Sequence, residues 1–207
     1  MFVTTKLWNK DQGYDTALEA CEKSLARLDC GYIDLYLIHW PLKDLRNDSW
    51  KAFIELQKRG LCRSIGVSNF TIENLKELEE KYDVLPAINQ VEFHPYHYQK
   101  ELLEYCNSKN IIIEAYSPLV HAKRMDEPRL MALSDELGKT PAQVLIRWAI
   151  QRGMVVLPKS VNQDRIVENF AVFDFDISNS LMDRLDDLDE RYVTCWDPHN
   201  PPPYAPV

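Results

Sequence analysis

Two side chains capable of acid–base chemistry stand at the ends of apolar, strand-like runs early in the chain. Lys6 lies near the end of the run at residues 2–7, and His39 ends the run at residues 33–39. Barrels built from alternating strands and helices place their catalytic groups at the carboxyl ends of the strands. We therefore expect Lys6 and His39 to lie in one active site, of which these runs supply about half.

The elements that must position these side chains alternate regularly between strand-like and helix-like runs. The predicted strands cover residues 2–7, 33–39, 64–68, 87–92, 111–116 and 155–158. The predicted helices cover residues 14–28, 49–58, 71–81, 99–109, 128–151, 162–170 and 178–188, and Thr140-Pro141 begins a second helix within the longest. This alternation predicts an α/β fold with a parallel sheet covered by helices. An open doubly wound sheet also fits the periodicity, but no GxGxxG segment follows any strand.

Composition and charge narrow the class of protein. With 207 residues, 45% of them hydrophobic, the chain can bury one large core, so we predict a single domain over residues 1–207. Residues 193–207 are rich in proline and predict an extended tail. The net charge of −8 argues against a nucleic-acid partner. There is no membrane-length apolar run and no signal peptide, and the scattered cysteines indicate reduced thiols, so we expect a cytoplasmic protein without a metal.

Five motifs in a fixed order, each at the end of a predicted strand, carry a resemblance to a known family. They are TTKLW at residues 4–8, DLYLIHWP at 34–41, IGVSNF at 65–70, NQVEFHP at 89–95 and LPKS at 157–160. Together they resemble the aldo-keto reductases over nearly the whole chain. The resemblance implies a (β/α)8 TIM barrel, here with about six of its eight βα units. It also implies NADPH extended across the carboxyl ends of the strands.

The resemblance assigns roles to Lys6 and His39. The family's catalytic tyrosine gives a proton to the carbonyl oxygen as hydride arrives from the nicotinamide, and Lys6 matches the lysine that tunes this tyrosine. His39 matches the histidine that orients the substrate carbonyl. The family's tyrosine and aspartate lie upstream of the strand at which this sequence begins, which implies an N-terminally truncated member. A phenol with its ordinary pKa near ~10 is a sluggish acid without such an ammonium beside it.

Two functions stay open on this basis. The first is an NADPH-dependent reductase of aldehydes and ketones whose catalytic tyrosine lies upstream of this chain. The second is a truncated, catalytically silent product of the same fold that binds NADPH or a protein partner. A complete barrel predicts a monomer, whereas six strands alone leave residues 2–7 and 155–158 as open edges through which copies could associate.

Cofactor contacts follow from the same resemblance. Ser68, Asn69 and Gln90 match residues that hydrogen-bond the nicotinamide carboxamide, and Tyr116 matches one that stacks on the nicotinamide ring. The remaining matches are Ser117 and Leu119 at the pyrophosphate, Lys159, Ser160 and Arg165 at the 2′-phosphate, and Glu168 and Asn169 near the adenine. An ammonium and a guanidinium at the start of a helix suit a phosphate dianion, which favours NADP over NAD.

Other positions complete the expectations from sequence. Trp8 and Trp40, with Trp196, are predicted to form an aromatic pocket that suits a small aldehyde or ketone. Val120-His121 stands where the family often has glycine. The resemblance therefore does not imply that this loop closes over the pyrophosphate. We expect Tyr36 to face the core or the helix layer and His94 to have a structural role.

Overall fold

Six strands alternate with helices along residues 1–195, the part of the chain that the computed structural model describes. The strands are β1 (Thr4–Leu7), β2 (Ile33–Ile38), β3 (Cys62–Ser68), β4 (Ile88–Glu92), β5 (Ile112–Tyr116) and β6 (Val155–Val156). The helices are α1 (Tyr14–Leu28), α2 (Arg46–Lys58), α3 (Ile72–Lys81), α4 (Lys100–Ser108), α5 (Pro128–Leu137), α6 (Pro141–Gln151), α7 (Gln163–Phe170) and α8 (Asn179–Asp186). The strands occur in the sheet in sequence order, and each pair with an assigned register is parallel. The predicted α/β fold with six strands is confirmed.

The described residues divide into two compact units. The first contains residues 1–90 and 104–111, and the second contains residues 91–103 and 112–195. The single domain over residues 1–207 stays a prediction. The greater part of the predicted tail, from Trp196 onwards, lies outside the described residues. None of the helices within residues 1–195 is long and apolar enough to cross a lipid bilayer.

Strand β2 lies at the centre of the first unit. All six of its residues are buried, as expected for a parallel strand covered on both faces. Tyr36 of β2 stacks on Phe53 of α2 with ring centroids 4.5 Å apart, and Trp50 of the same helix is also fully buried. Tyr36 therefore lies in the core, as predicted. Lys6 pairs with Leu37 in the parallel register, so β1 and β2 end at the same level.

The second unit packs around Trp148 of α6. The Trp148 ring lies 6.0 Å from that of Phe93 and 5.4 Å from that of Tyr98, measured between centroids. Its indole Nε1 donates a 2.8 Å hydrogen bond to Asp186 Oδ1 of α8, so the polar edge of a fully buried ring is satisfied. The paired strands β5 and β6 belong to the same unit.

Element boundaries differ from the prediction by up to three residues at several places. Strand β1 begins at Thr4 instead of residue 2, and Phe2 is exposed. Strand β6 ends at Val156, because Pro158 has no N–H to donate to a neighbouring strand. Helix α2 begins at Arg46, three residues before the predicted start. The longest predicted helix is two, α5 and α6, and the second begins at Pro141 after a Thr140 cap, as predicted.

Candidate active site

Lys6 and His39 lie together at the carboxyl ends of β1 and β2. The backbone N of His39 donates a 3.2 Å hydrogen bond to the Leu7 carbonyl, which fixes the end of β2 against the end of β1. Burial lowers the pKa of His39 to about 4, and the positive charge of Lys6 acts in the same direction. His39 is therefore a neutral imidazole near pH 7. A neutral imidazole in this position can offer one N–H to a substrate oxygen without carrying charge.

Two tryptophans flank His39. The Trp8 ring meets the His39 ring edge-on at 4.9 Å, and the Trp40 ring is nearly parallel to it at 6.2 Å. Trp40 is almost fully buried, whereas Trp8 is half-buried. The indole N–H of Trp8 is itself buried and has no hydrogen-bond partner among residues 1–195. Such a donor is unfavourable unless a ligand or water accepts from it.

A hydrogen-bond network joins three of the predicted cofactor residues to the His39 segment. Ser68 Oγ donates to the Gln90 carbonyl at 2.8 Å, and the Asn69 backbone N donates to the same carbonyl at 2.9 Å. Asn69 Nδ2 donates to Ser68 Oγ at 3.2 Å and to the His39 carbonyl at 3.0 Å. Asn69 adopts a positive φ of 62°, a conformation that asparagine tolerates better than most residues. The structure thus brings Ser68, Asn69, Gln90 and His39 into one array.

The remaining predicted cofactor residues lie in the second unit. Tyr116 ends β5 half-buried, and its carbonyl accepts a 3.3 Å hydrogen bond from the Phe93 N. Burial raises the pKa of the Tyr116 phenol, so it stays neutral across the physiological range. Ser117 follows with a positive φ of 50°, and its Oγ lies 3.1 Å from His121 Nε2. Leu119 is half-buried in the same loop.

Residues 120–122 are Val-His-Ala, at a position where the resemblance leads one to expect glycine. Val120, His121 and Ala122 all have positive φ, between 50° and 61°. This left-handed turn is costly for residues with a Cβ, above all for β-branched Val120. The backbone thus adopts the conformation that glycine would adopt freely, and the contact between His121 and Ser117 accompanies it.

The predicted phosphate residues surround the start of α7. Lys159 and Arg165 are exposed, and Ser160 Oγ accepts a 3.1 Å hydrogen bond from the Asn162 N. Asn162 Oδ1 accepts from the Arg165 N at 3.1 Å, which caps the helix. Glu168 is half-buried and Asn169 is buried later in the same helix. An exposed ammonium and guanidinium near a helix N-terminus form an arrangement suited to a phosphate.

Glu92 is a residue of the second unit to which the sequence motifs gave no role. It lies at the end of β4, is almost fully buried, and accepts hydrogen bonds from the Thr194 N at 2.7 Å, the Cys195 N at 3.0 Å and His94 Nε2 at 3.1 Å. Burial opposes its ionisation, but these hydrogen bonds outweigh burial and lower the pKa of Glu92 to about 2. His94 therefore has a partner within the protein, in agreement with its predicted structural role. A lone carboxylate in an apolar strand was the signal available in the sequence.

Gln12 is a second residue that sequence reasoning missed. It is almost fully buried, and its Nε2 donates a 2.8 Å hydrogen bond to the Trp40 carbonyl, which fixes the segment after His39. No cluster of His, Cys, Asp or Glu within residues 1–195 could hold a metal ion.

A known protein family matches this chain. The profile of the "Aldo/keto reductase family" matches residues 1–190. The chain is an aldo/keto reductase. The match contains all five motifs on which the resemblance was recognised, and the oxidoreductase class predicted from them is confirmed.

Named relatives and solved structures agree with this family. The chain is 49% identical over 193 residues to a glyoxal reductase of Bacillus subtilis (strain 168), which covers 92% of this aldo/keto reductase and 70% of the relative. A methylglyoxal reductase, DkgA, of Salmonella typhimurium is 44% identical over 194 residues, covering 92% of this chain and 70% of the relative. The apoform of Gox0644 superimposes with a TM-score of 0.92 at 41% identity, covering 95% of this chain and 74% of that one. The predicted aldo/keto reductase type of α/β barrel, represented here by six βα units, is confirmed.

Cofactor complexes occur among these solved structures. A Gox0644 mutant in complex with NADPH has a TM-score of 0.91 and 41% identity, covering 96% of this aldo/keto reductase and 74% of that chain. An aldo-keto reductase of Bombyx mori in complex with NADP has a TM-score of 0.86 and 35% identity, covering 93% and 69%.

Proposed function

We propose that this aldo/keto reductase reduces small aldehydes and ketones to alcohols with NADPH. The observation that carries the proposal is the array in which Asn69 joins the His39 segment to Ser68 and Gln90. It connects a residue predicted for the substrate carbonyl to residues predicted for the nicotinamide. The names of the relatives, glyoxal and methylglyoxal reductase, favour small dicarbonyl substrates.

The side chains present fit such a cofactor. When bound, NADPH supplies a hydride at its nicotinamide. Ser68, Asn69 and Gln90 offer the donors and acceptors that a carboxamide requires, and the neutral Tyr116 offers an aromatic face. Ser117 and Leu119 are assigned to the pyrophosphate, Lys159, Ser160 and Arg165 to the 2′-phosphate, and Glu168 and Asn169 to the adenine side.

Substrate orientation is assigned to His39 and the two tryptophans. A neutral imidazole donates to the carbonyl oxygen and so holds the carbonyl carbon toward the hydride. The Trp8 N–H, which has no partner among residues 1–195, supplies a second donor for a polar group of the substrate. Trp40 is almost fully buried and packs beside the His39 ring, so it holds that ring in place.

Proton transfer is the step for which the proposal needs a further residue. By resemblance, a tyrosine and an aspartate upstream of Lys6 provide it, and the positive charge of Lys6 lowers the pKa of that tyrosine. The alternative function is a catalytically silent product that binds NADPH or a protein. Cytoplasmic location and association of copies through β1 and β6 stay predictions as well.

Two assays on the purified 207-residue chain test the proposal. NADPH binding is titrated by fluorescence, and methylglyoxal-dependent NADPH oxidation is measured beside it. Turnover that falls about 100-fold in Lys6→Met, and not in the exposed control Lys10→Met, supports the reductase. NADPH binding without turnover shows that these 207 residues are silent without the upstream proton donor. A chain that binds no NADPH contradicts the reductase and leaves only a silent product that binds a protein partner.

A further inference from the structure

Two thiols that the proposed reaction does not use lie together in the core of the first unit. Cys21 is on α1 and Cys62 begins β3, and their Sγ atoms are 3.7 Å apart. Both are buried, with exposed fractions of 0% and 1%. A disulfide requires a sulfur–sulfur distance of about 2.05 Å, so a closure of less than about 2 Å separates this pair from a covalent bond.

The hydroxyl of Tyr36 is an independent feature of the same region. It is fully buried and has no hydrogen-bond partner among residues 1–195. Burial raises the pKa of this phenol, and the electrostatic influence of Cys21 and Cys62 acts in the same direction. Buried hydroxyls are usually hydrogen-bonded. This one therefore offers an unused donor and acceptor to a small polar molecule that enters the core of the first unit.

The two thiols are not equivalent. The hydrogen bond between the two sulfurs, in which either can donate, lowers the pKa of Cys21 against the effect of burial. The same hydrogen bond and burial raise the pKa of Cys62. Because the thiolate is the nucleophile in thiol chemistry, Cys21 is the sulfur that reacts first.

We propose that Cys21 and Cys62 form an oxidisable dithiol, which hydrogen peroxide converts into an intramolecular disulfide between α1 and β3. The Cys21 thiolate attacks one peroxide oxygen, the O–O bond breaks, and the departing hydroxide takes the proton lost by Cys21 to give water. Cys62 then attacks the sulfur of the resulting sulfenic acid. The S–O bond breaks, and the hydroxide takes the Cys62 proton as the second water. Two thiols are oxidised by two electrons and one peroxide is reduced.

The disulfide has a predictable effect on stability. It closes a loop from residue 21 to residue 62 and so restricts the unfolded chain. The folded protein changes little, because the sulfurs are already near one another. Oxidation of the buried pair is slower than oxidation of exposed Cys195, since peroxide reaches the pair only when the core opens transiently.

Peptide mass spectrometry tests the proposal after exposed thiols of the native 207-residue chain are blocked with iodoacetamide and hydrogen peroxide is added. We expect a Cys21–Cys62 cross-linked peptide, two hydrogens lighter than its reduced parts, and a Tm about 5 °C higher that dithiothreitol reverses. Cys62→Ser and Cys21→Ala should each lose the cross-link and the rise in Tm. The control Cys106→Ser, at a third buried thiol, should keep both.

Two results would overturn the proposal. One is recovery of both thiols in free form, by labelling in denaturant, after a peroxide treatment continued about ten times longer than the time that fully oxidises Cys195 in an unblocked sample. The other is a cross-link that joins Cys21 or Cys62 to a different cysteine. Neither result depends on NADPH, so the outcome is separate from that of the proposed function.

Discussion

His39 shows how two neighbouring features set the state of one side chain. Burial removes the imidazolium from water, and the positive charge of Lys6 disfavours it further, so the pKa of His39 is about 4. Sequence could predict that Lys6 and His39 lie together, because both occur at strand ends. It could not predict the protonation state, which depends on burial that only the folded chain provides.

Lys6→Met should raise the pKa of His39 from about 4 toward the ordinary value near ~6.5, because it removes the nearby positive charge. Burial remains, so the rise should be partial. Titration of the His39 ring signals by NMR measures this directly. Lys10→Met, an exposed control, should leave the midpoint unchanged; an equal midpoint in all three proteins would contradict the account.

Glu92→Gln should destabilise the protein by about 2 kcal/mol at pH 7, because hydrogen bonds to a buried carboxylate become weaker bonds to an amide. The folded pKa of about 2 lies below the unfolded value near ~4.3. The stabilisation by Glu92 is therefore complete above pH ~4.3 and is lost as the pH falls toward 2. Urea unfolding at pH 7 and pH 3 should show a smaller difference between the variant and wild type at pH 3. A constant difference would count against this role.

At the scale of elements, local sequence signals predicted where helices begin. Thr71 and Thr140 both accept hydrogen bonds from the backbone N three residues later, and threonine directly before α3 and α6 is such a local signal. The left-handed turn at residues 120–122 could not be predicted, because nothing in Val-His-Ala favours positive φ. Its conformation depends on contacts made by the surrounding fold.

Close packing of β3 on its neighbours makes Gly66 a demanding position. A Cβ at Gly66 would lie 2.7 Å from the Ile88 carbonyl oxygen and 2.8 Å from Leu37 Cδ2. Gly66→Ala should therefore destabilise the protein by about 2 kcal/mol, because backbone of β4 must move. Gly31→Ala is the matched control, since no atom lies within 4 Å of its added Cβ. Equal urea midpoints for the two variants would refute this packing argument.

For the whole molecule, the most specific expectation is a phosphate site on an acidic protein. The chain has a net charge of −8, which repels an anionic cofactor at long range. In the proposed function, the exposed Lys159 and Arg165 at the start of α7 attract the 2′-phosphate locally. The order of the motifs predicts these two residues, and the binding measurement below tests them.

A parallel titration of the 207-residue chain with NADPH and NADH is the decisive test of a phosphate site at the start of α7. We expect Lys159→Met and Arg165→Met each to weaken NADPH binding about 10-fold and to leave NADH binding nearly unchanged, because each removes one charge-assisted contact to the 2′-phosphate. Arg184→Met, an exposed base on α8, is the control for the change in net charge and should behave as wild type. Equal affinity for the two cofactors in wild type, or equal losses in all three variants, would contradict an NADPH site at the start of α7.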